Sequence, residues 1–304
     1  MKNVIYILHP GTANYPEIKA YREYFGNRYT VLDGTKQDYE KSGINGDCIL
    51  WCIMGFYPKQ YKAKFVIHDY RSLSIGKFCA AKDLVKKLLN SKPDLRIFQN
   101  SEMQRIMSFS DNIESLLLPM GIPDFIRHVE AHTNPSFHQR FCYIGEMSKE
   151  RKFDLVLKSF IESGLDGKLL LVGTPDSEIF EEFKHSDKFM FTGKLPQHEA
   201  LSAVKACRFS ICYFPYHRPH RFQTPTKLLE YMALGMDIIC NDAPSNISTL
   251  SLFNYKNAII TGRDIFQSRN EIEGYTPIEN VNDTISDSLG WDSVIKCSGI
   301  DKYV

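Results

Sequence analysis

The segment from residue 224 to residue 242 combines residue types that could hold a phosphorylated ligand. Thr224 is a good helix N-cap, Pro225 suits the first helical position, and Gly235 suits the left-handed residue that ends a helix. The N-terminus of such a helix presents unpaired backbone N–H groups and the positive end of the helix dipole. The pattern therefore predicts a short helix over 225–234 whose first turn can bind a phosphate.

Polar side chains in the first two turns of this helix extend the same chemistry. Thr226 and Lys227 fall in the first turn, and Glu230 follows four and three residues later, which places it on the same helix face. A carboxylate there can accept hydrogen bonds from both hydroxyls of a ribose. The hydroxyl of Thr224, at the helix N-terminus, can contact the phosphate. The segment favours a nucleoside diphosphate as ligand. A capped amphipathic helix with a solvated Glu230 is the alternative.

Further cations lie where an α/β protein places its ligands, beyond the carboxyl ends of strands. Gly145 ends the first predicted strand of the second half, and Arg151 or Lys152 follows on the way into a helix. Arg218 and Arg221 come directly before the phosphate-binding helix. These side chains are candidates to neutralise a diphosphate, although a basic loop can also be only a solvated surface.

The elements that must position these residues are strands and helices in alternation. Short apolar runs alternate with helix-period segments along the chain, which predicts βαβ units and parallel sheets. The predicted strands are 4–8, 29–32, 48–54, 65–67, 96–99, 140–145, 168–172, 189–191, 209–213 and 237–240. The predicted helices are 16–25, 77–90, 153–161, 197–207 and 225–234.

The length of 304 residues predicts two domains rather than one. We expect a first α/β domain over 1–125, a linker over 126–140, a second α/β domain over 141–275 and a closing segment over 276–304. The three histidines of the linker region are spaced by four and six residues without a carboxylate partner, so they do not predict a metal site; they are His128, His132 and His138.

Composition excludes several classes of protein. The 37 basic and 36 acidic residues balance, so the chain lacks the basic excess of a nucleic-acid binder. The eight cysteines form no CxxC pair and no zinc-type cluster, which indicates free thiols in a reducing compartment. The N-terminal apolar run is too short for a signal peptide, and no stretch reaches the ~20 apolar residues of a membrane span.

The predicted helix 77–90 carries two kinds of side chain. One face holds Phe78, Ala81, Val85 and Leu88, and the other holds lysines at positions 82, 86 and 87. The lysines form either a solvated face or a contact for an acidic lipid or glycan acceptor. Peripheral membrane contact through the N-terminal domain therefore stays open at this point.

Residues 141–244 resemble the donor-binding domain of glycosyltransferase family 4, whose members are retaining enzymes of the GT-B fold. The matching pieces, in order, are Tyr-Ile-Gly145-Glu-Met-Ser-Lys-Glu-Arg-Lys-Phe, Leu-Leu-Leu-Val-Gly173, Phe-Thr-Gly193-Lys-Leu and Pro225-Thr-Lys-Leu-Leu-Glu230-Tyr-Met-Ala-Leu-Gly235. The resemblance implies two Rossmann-like domains whose parallel sheets face each other across a cleft. It also implies that Gly290-Trp-Asp opens a helix that packs back on the N-terminal domain.

The resemblance implies roles for individual residues. Glu230 resembles the ribose-binding glutamate of the family, and Arg151 or Lys152 occupies the place of its diphosphate-binding lysine. His68 resembles the histidine beside the transferred sugar, and Gly11 resembles the glycine of the loop after the first strand. Gly145 and Gly173 lie in the matching pieces and are also counted as donor-binding. The same role is expected, from the residue types alone, for Arg218, Arg221, Thr224, Thr226 and Lys227.

Two positions depart from the family pattern. The family often has a second glutamate eight residues before the ribose-binding one, and Phe222 stands there. The arginine often found after the first glycine of the donor domain is replaced by Glu146. The donor sugar is therefore held differently or catalysis is altered, with Arg218, Arg221 or Gln223 as candidates to compensate.

The expected function is transfer of a sugar from a UDP- or GDP-linked donor to a glycan or glycolipid acceptor, with retention. The chain has no DxD motif, so we expect no metal and no other cofactor. The alternatives are a non-catalytic nucleotide-sugar-binding subunit and a nucleotide-sugar epimerase or hydrolase on the same scaffold. We expect a cytoplasmic protein, with the inner face of the membrane as the second location, and no nucleic-acid partner.

Overall fold

The computed structural model describes residues 3–12, 15–44, 46–278 and 283–304, and the chain divides into two compact units. The first unit comprises residues 1–121, 222–224 and 290–304, and the second comprises 122–221 and 225–289. Residues 126–140, which we expected to form a linker, belong to the second unit. The expected closing segment is divided, because only residues from 290 onward belong to the first unit.

The first unit contains a six-stranded parallel sheet in the order β2-β1-β3-β4-β5-β6. Its strands are β1 (Asn3–Leu8), β2 (Tyr29–Gly34), β3 (Cys48–Ile53), β4 (Phe65–Tyr70), β5 (Leu95–Phe98) and β6 (Ser115–Leu117). Its helices, in chain order, are α1 (Pro16–Phe25), α2 (Lys36–Lys41), α3 (Cys79–Leu89) and α4 (Ser101–Met107).

Local sequence explains where these helices begin. Pro16 opens α1 at a position where its missing N–H is not needed. Thr35 and Asp38 form a capping box at α2, in which each side chain accepts from the backbone N–H of the other residue. Asn100 caps α4 by accepting from the N–H of Met103. The sequence patterns missed α2 and α4 because both helices are shorter than two full turns of apolar periodicity.

The second unit contains a six-stranded parallel sheet in the order β12-β11-β10-β7-β8-β9. Its strands are β7 (Phe141–Ile144), β8 (Leu169–Val172), β9 (Phe189–Gly193), β10 (Phe209–Cys212), β11 (Asp237–Asn241) and β12 (Ala258–Thr261). Its helices are α5 (Phe153–Glu162), α6 (Ser177–Phe183), α7 (Gln197–Lys205), α8 (Thr226–Ala233), α9 (Pro244–Leu252), α10 (Arg269–Glu273) and α11 (Asp283–Leu289). The last helix of the chain, α12 (Trp291–Ser298), packs in the first unit against α1.

The strand order of the second unit reverses between β7 and β10. From β7 the chain moves outward through β8 and β9, and from β10 it moves outward on the other side through β11 and β12. Such a switch point opens a crevice at the carboxyl ends of its two central strands. The segments that follow β7 and β10 are therefore the places to look for a ligand site.

The cores contain the side chains that the apolar runs supply. In the second unit the aromatic rings of Phe141, Phe160 and Phe209 pack together under α5, and all three are buried. The eight cysteines are free, and six of them are buried. No described helix is long and apolar enough to cross a membrane.

Candidate functional site

Helix α8 begins one residue later than the sequence predicts. Pro225 is the N-cap with extended backbone, and Thr226 is the first helical residue. Within the described part of the chain, no side chain caps this helix, since Thr224 is not at the capping position and the N-cap residue is a proline. The N–H groups of Thr226 and Lys227 therefore point from the helix N-terminus without a side-chain acceptor, as an anion-binding helix requires.

Lys227 crosses the edge of the sheet toward β7. Its Nζ donates to the hydroxyl oxygen of Tyr143 at 2.6 Å and lies 3.9 Å from the centre of that ring. A Cβ on Gly145 would lie 3.1 Å from the same Nζ, so a side chain there would crowd the ammonium group. The structure thus places a cation at the switch point, directly beside the turn that follows β7.

Gly145 and Gly173 form a closely packed floor next to this cation. The N–H of Gly145 donates to Val172 and the N–H of Gly173 donates to Gly193, both at 2.9 Å. Both glycines have positive φ, +128° and +135°. A Cβ on Gly173 would lie 2.3 Å from the carbonyl oxygen of Gly145, so no side chain fits there. Backbone can therefore approach a ligand closely at this edge.

Replacing Gly173 with alanine is expected to lower the free energy of unfolding by more than about 3 kcal/mol, because the new Cβ adds a backbone clash to the strain of positive φ. Gly193 offers a matched control, since it has a φ of +71° and no atom within 4 Å of an added Cβ. The Gly193→Ala variant should lose only about 1–2 kcal/mol. Urea denaturation of both variants measures the difference, and equal losses would contradict the packing described for Gly173.

Glu230 lies one turn into α8 on the side of Lys227. Its Oε1 is 3.5 Å from Nε2 of Gln197, the first residue of α7. The side chain is half-buried, and burial raises the pKa of its carboxyl group to about 7, although Gln197 and the charge of Lys227 act in the opposite direction. The sequence analysis missed Gln197. The feature that could have indicated Gln197 is its position at the start of the helix that follows the turn at Gly193.

Arg151 and Lys152 lie between β7 and α5 but differ in their surroundings. The guanidinium group of Arg151 forms an ion pair with Glu146 at 2.9 Å, and Glu146 also accepts from the hydroxyl of Ser148. Lys152 adopts a left-handed conformation at the N-cap of α5, and no carboxylate within the described residues pairs with it. Glu146 thus neutralises Arg151.

Arg151 and Lys152 line a cavity of about 670 Å³ beside α5. The opposite wall comes from the loop after β10, with Tyr216 and His217, and from Arg263 after β12. The guanidinium carbon of Arg263 lies 5.3 Å from the ring centre of Tyr216. The cavity is therefore rich in cations and reaches the carboxyl ends of three strands.

His220 connects these groups and was not a candidate from the sequence. Burial, the largest cause, and the positive charges of Arg151, His217 and Lys227 together lower the pKa of its imidazole to about 4, while Glu146 opposes them. The ring is therefore neutral near pH 7. Its ring centre lies 5.4 Å from that of His217, which lines the same cavity as Arg151.

Arg218 and Arg221 lie in the loop after β10, which ends in a 3-10 turn, and only Arg221 is largely exposed. The next residues, 222–224, belong to the first unit. There the carbonyl oxygen of Phe222 accepts from Asn100, and the N–H of Thr224 donates to Gln99, both at 2.9 Å. Thr224 is thus held through its backbone and does not act as the helix cap.

Phe222, which stands where the resemblance led us to expect a glutamate, has an apolar environment. It packs against a cluster of the first unit that includes Tyr70, Phe98 and Met103. A carboxylate would be unfavourable among these side chains because they offer it no partner. The ring of Phe222 therefore has a structural role in the segment that precedes α8.

His68 and Gly11 lie in the first unit. We expected His68 at the end of a strand over 65–67, but the strand continues to Tyr70 and His68 is inside it. The ring is buried, and burial together with the charge of Arg96 lowers its pKa to about 3. Gly11 has a φ of +75° in the turn after β1, which suits the glycine-containing loop that we expected.

The second unit thus brings together most of the predicted donor-side residues. Gly145, Gly173, Lys227 and Glu230 line the edge formed by β7, β8 and α8, and Arg151 lies in the loop from β7 to α5 that Gly145 begins. Among the described residues, no group of three or more His, Cys, Asp or Glu side chains could hold a metal ion. The arrangement can bind an anion beside a carboxylate that faces the same helix side.

Comparison with known proteins supports the fold. No protein-family model matches the sequence, and no curated protein matches it. Among solved structures, the chain is similar to sucrose-phosphate synthase from Thermosynechococcus elongatus, with a TM-score of 0.67, 12% identity, and coverage of 99% of this chain and 98% of that one. It is also similar to WaaG, a glycosyltransferase involved in lipopolysaccharide biosynthesis, with a TM-score of 0.66, 9% identity, and coverage of 99% and 100%.

A complex of the Anabaena protein HepE with UDP-glucose gives a TM-score of 0.69 at 10% identity, with coverage of 98% of this chain and 99% of that one. A Listeria monocytogenes protein assigned to the UDP-N-acetylglucosamine 2-epimerases gives 0.56 at 9% identity, with coverage of 99% and 96%. The chain therefore has the GT-B fold, with two Rossmann-like domains that each contain a six-stranded parallel sheet. Identities this low establish only the fold, so the activity has to be inferred from the residues of the site.

Proposed function

We propose that the protein is a glycosyltransferase that moves a sugar from a UDP- or GDP-linked donor to a glycan or glycolipid acceptor. The observation that carries this proposal is the uncapped start of α8, with Lys227 at its tip and Glu230 one turn below. A diphosphate at the tip and a ribose at Glu230 would satisfy both groups. Structural neighbours that bind UDP-glucose or transfer sugars support the same interpretation.

The proposed mechanism is stabilisation of the leaving diphosphate by fixed positive charge. Lys227, Lys152 and the N–H groups at the start of α8 would face the charge that develops as the glycosidic bond breaks. The neutral ring of His220 could donate a hydrogen bond without a change of protonation near pH 7. We propose that transfer proceeds with retention and without a metal, in line with the absence of a DxD motif.

The test of the donor site uses the pKa of Glu230. A nucleotide sugar carries no phosphate that titrates between pH 5.5 and pH 8.5, so a pH-dependent affinity must come from the protein. Because the ribose needs the ionised carboxylate, affinity should rise up to about tenfold per pH unit below the pKa of about 7 and level off above it. Calorimetry with UDP- and GDP-sugars measures this, after thermal-shift screening has selected the donor.

The Glu230→Gln variant is the matched control, because it keeps the size and the contact with Gln197 while it removes the titration. Its affinity should be weaker and independent of pH. In the unliganded protein, the free energy of unfolding changes with pH in the direction opposite to the donor affinity. The folded state raises the pKa, so it binds the proton more tightly than the unfolded chain, and the stability from this group falls as pH rises from 4.5 to 7. A wild-type affinity without pH dependence would contradict the assignment of Glu230.

The GT-B fold also hosts epimerases, and one such neighbour favours an epimerase or hydrolase as the second candidate. Incubation of the selected donor without acceptor distinguishes the two, since an epimerase or hydrolase forms epimer or free sugar under those conditions. The apolar environment of Phe222, where the family has a glutamate, favours the third possibility, a binding subunit without turnover. Donor binding without transfer across a broad acceptor panel would identify that case.

A further inference from the structure

Helix α3 of the first unit is exposed on nearly every side. Asp83 is its one buried residue, and it accepts from the backbone N–H of Ser74. The apolar side chains that a helix normally turns inward face solvent here. Phe78 at the N-cap is 81% exposed, Leu88 is 68% exposed, and the others with large exposed fractions are Ile75, Leu84, Val85 and Leu89. Single exposed leucines are ordinary, but a contiguous group of this size marks an interaction surface.

The charge around this face has one sign. Residues 72–93 contain five lysines and a single acid, and that acid is the buried Asp83. Among the described residues, neither Lys82 nor Lys86 pairs with a carboxylate, and Nζ of Lys82 donates to the carbonyl oxygen of Ile75 at 3.1 Å. Burial and the neighbouring charge of Lys82 lower the pKa of Lys86. An anion between these lysines would relieve their repulsion.

One wall of α3 also borders a cavity of about 720 Å³. The cavity lies at the carboxyl ends of β3 and β4, and its lining is mostly apolar, with Ile53, Met54, Phe56, Leu73, Ile75 and Val85. Lys82 and Lys86 stand in the wall that α3 supplies. Arg71 also reaches the cavity, but its guanidinium group is occupied by Asp69, the hydroxyl of Tyr21 and the carbonyl oxygen of Leu118.

We propose that α3 and the preceding residues 75–78 dock on an anionic lipid bilayer, and that a lipid from this bilayer enters the adjoining cavity as the acceptor. The exposed apolar side chains would rest among the acyl chains, while Lys82 and Lys86 contact the phosphates of the headgroups. The combination of exposed apolar groups, one-sided positive charge and an apolar cavity suits an anionic amphiphile. The acceptor role depends on the proposed transferase function, whereas the docking does not.

Vesicle flotation tests the docking with the full-length protein. We expect binding to phosphatidylcholine vesicles that contain about 30% phosphatidylglycerol, and much weaker binding to phosphatidylcholine alone, because each lysine near an anionic surface contributes to the attraction. The Leu84→Ser/Leu88→Ser variant should bind the anionic vesicles at least about tenfold more weakly, since it removes apolar surface from the bilayer. Both residues are exposed, so the variant should fold.

Leu252→Ser is the matched control, because Leu252 is 64% exposed in α9 of the second unit. It should bind the vesicles as the wild type does. Equal loss in the control and the α3 variant, or no binding of the wild type to anionic vesicles, would overturn the docking. Replacement of Lys82 and Lys86 by glutamine should reduce binding chiefly to the anionic vesicles.

Entry of a lipid into the cavity has its own measurement. A Met54→Trp variant places an indole in the cavity lining away from the exposed face of α3, and vesicles with brominated acyl chains should quench its fluorescence above the wild-type background. Leu252→Trp should show no added quenching. Vesicle binding without quenching at position 54 would show that no lipid enters the cavity. Neither measurement needs a donor, so loss of docking and loss of donor binding are separate outcomes.

Discussion

Replacement of Lys227 by methionine is expected to lower kcat/KM for the donor by about 100-fold or more, the usual loss when a fixed charged donor to a developing anion is removed. Nζ of Lys227 lies at the switch point of the second sheet, beside Gly145 and above the ring of Tyr143. Methionine keeps the length of the side chain and its contact with the ring. The expected loss therefore comes from the charge.

Steady-state kinetics with the selected donor measure this effect, and kcat should fall more than KM rises because the charge matters most in the transition state. Tyr143→Phe is the control. It removes the 2.6 Å hydrogen bond from Lys227 but keeps the aromatic ring below the ammonium group, so it should cost less than about tenfold. Wild-type kinetics in Lys227→Met would exclude this lysine from the diphosphate site.

The second large effect concerns the start of α5. The Arg151→Ala/Lys152→Ala double variant is expected to lose about 100-fold or more in kcat. We expect most of the loss from Lys152, because Arg151 already forms an ion pair with Glu146 and Lys152 has no carboxylate partner in the described parts of the chain. Single-turnover kinetics of Arg151→Ala, Lys152→Ala and the double variant measure the contribution of each residue to the chemical step without interference from product release.

A neutral pair deletion provides the matched control for Arg151. Arg151→Ala alone leaves the carboxylate of Glu146 uncompensated near the anionic donor, whereas Glu146→Gln/Arg151→Ala removes both charges together. The pair variant should therefore be more active than Arg151→Ala. Full activity of the Arg151/Lys152 double variant would show that the diphosphate is held elsewhere, with Lys227 and the start of α8 as the remaining candidates.

The elements of the fold follow from the sequence where the periodic signal is long. The apolar runs locate ten of the twelve described strands, and the predicted helix 16–25 agrees with α1. The missed strands are β6 and β12. The apolar runs there are only three residues long, Leu116–Leu118 and Ala258–Ile260, and runs this short do not distinguish a strand from other buried segments.

The residues of the proposed donor site were largely visible in the sequence, because a helix start, a glycine at a strand end and a carboxylate one turn into a helix are local features. The partners of these residues were not visible in the sequence. The contact of Glu230 with Gln197 and the neutral state of His220 depend on packing between different elements. The ion pair of Arg151 with Glu146, five residues away in the same loop, depends on the conformation of that loop. Burial sets these pKa values, and a sequence contains no direct measure of burial.

The sequence by itself determined the alternation of strands and helices, the two α/β domains, and the α8 segment for which we propose phosphate binding, since each depends on residues a few positions apart. The tertiary structure alone decided the rest: that Phe222 packs in an apolar cluster, that His68 is buried within β4, and that the apolar face of α3 is exposed. The physical reason is that periodicity shows which side chains share a face of a helix or strand. Whether anything covers that face depends on the packing of elements that are distant in the chain.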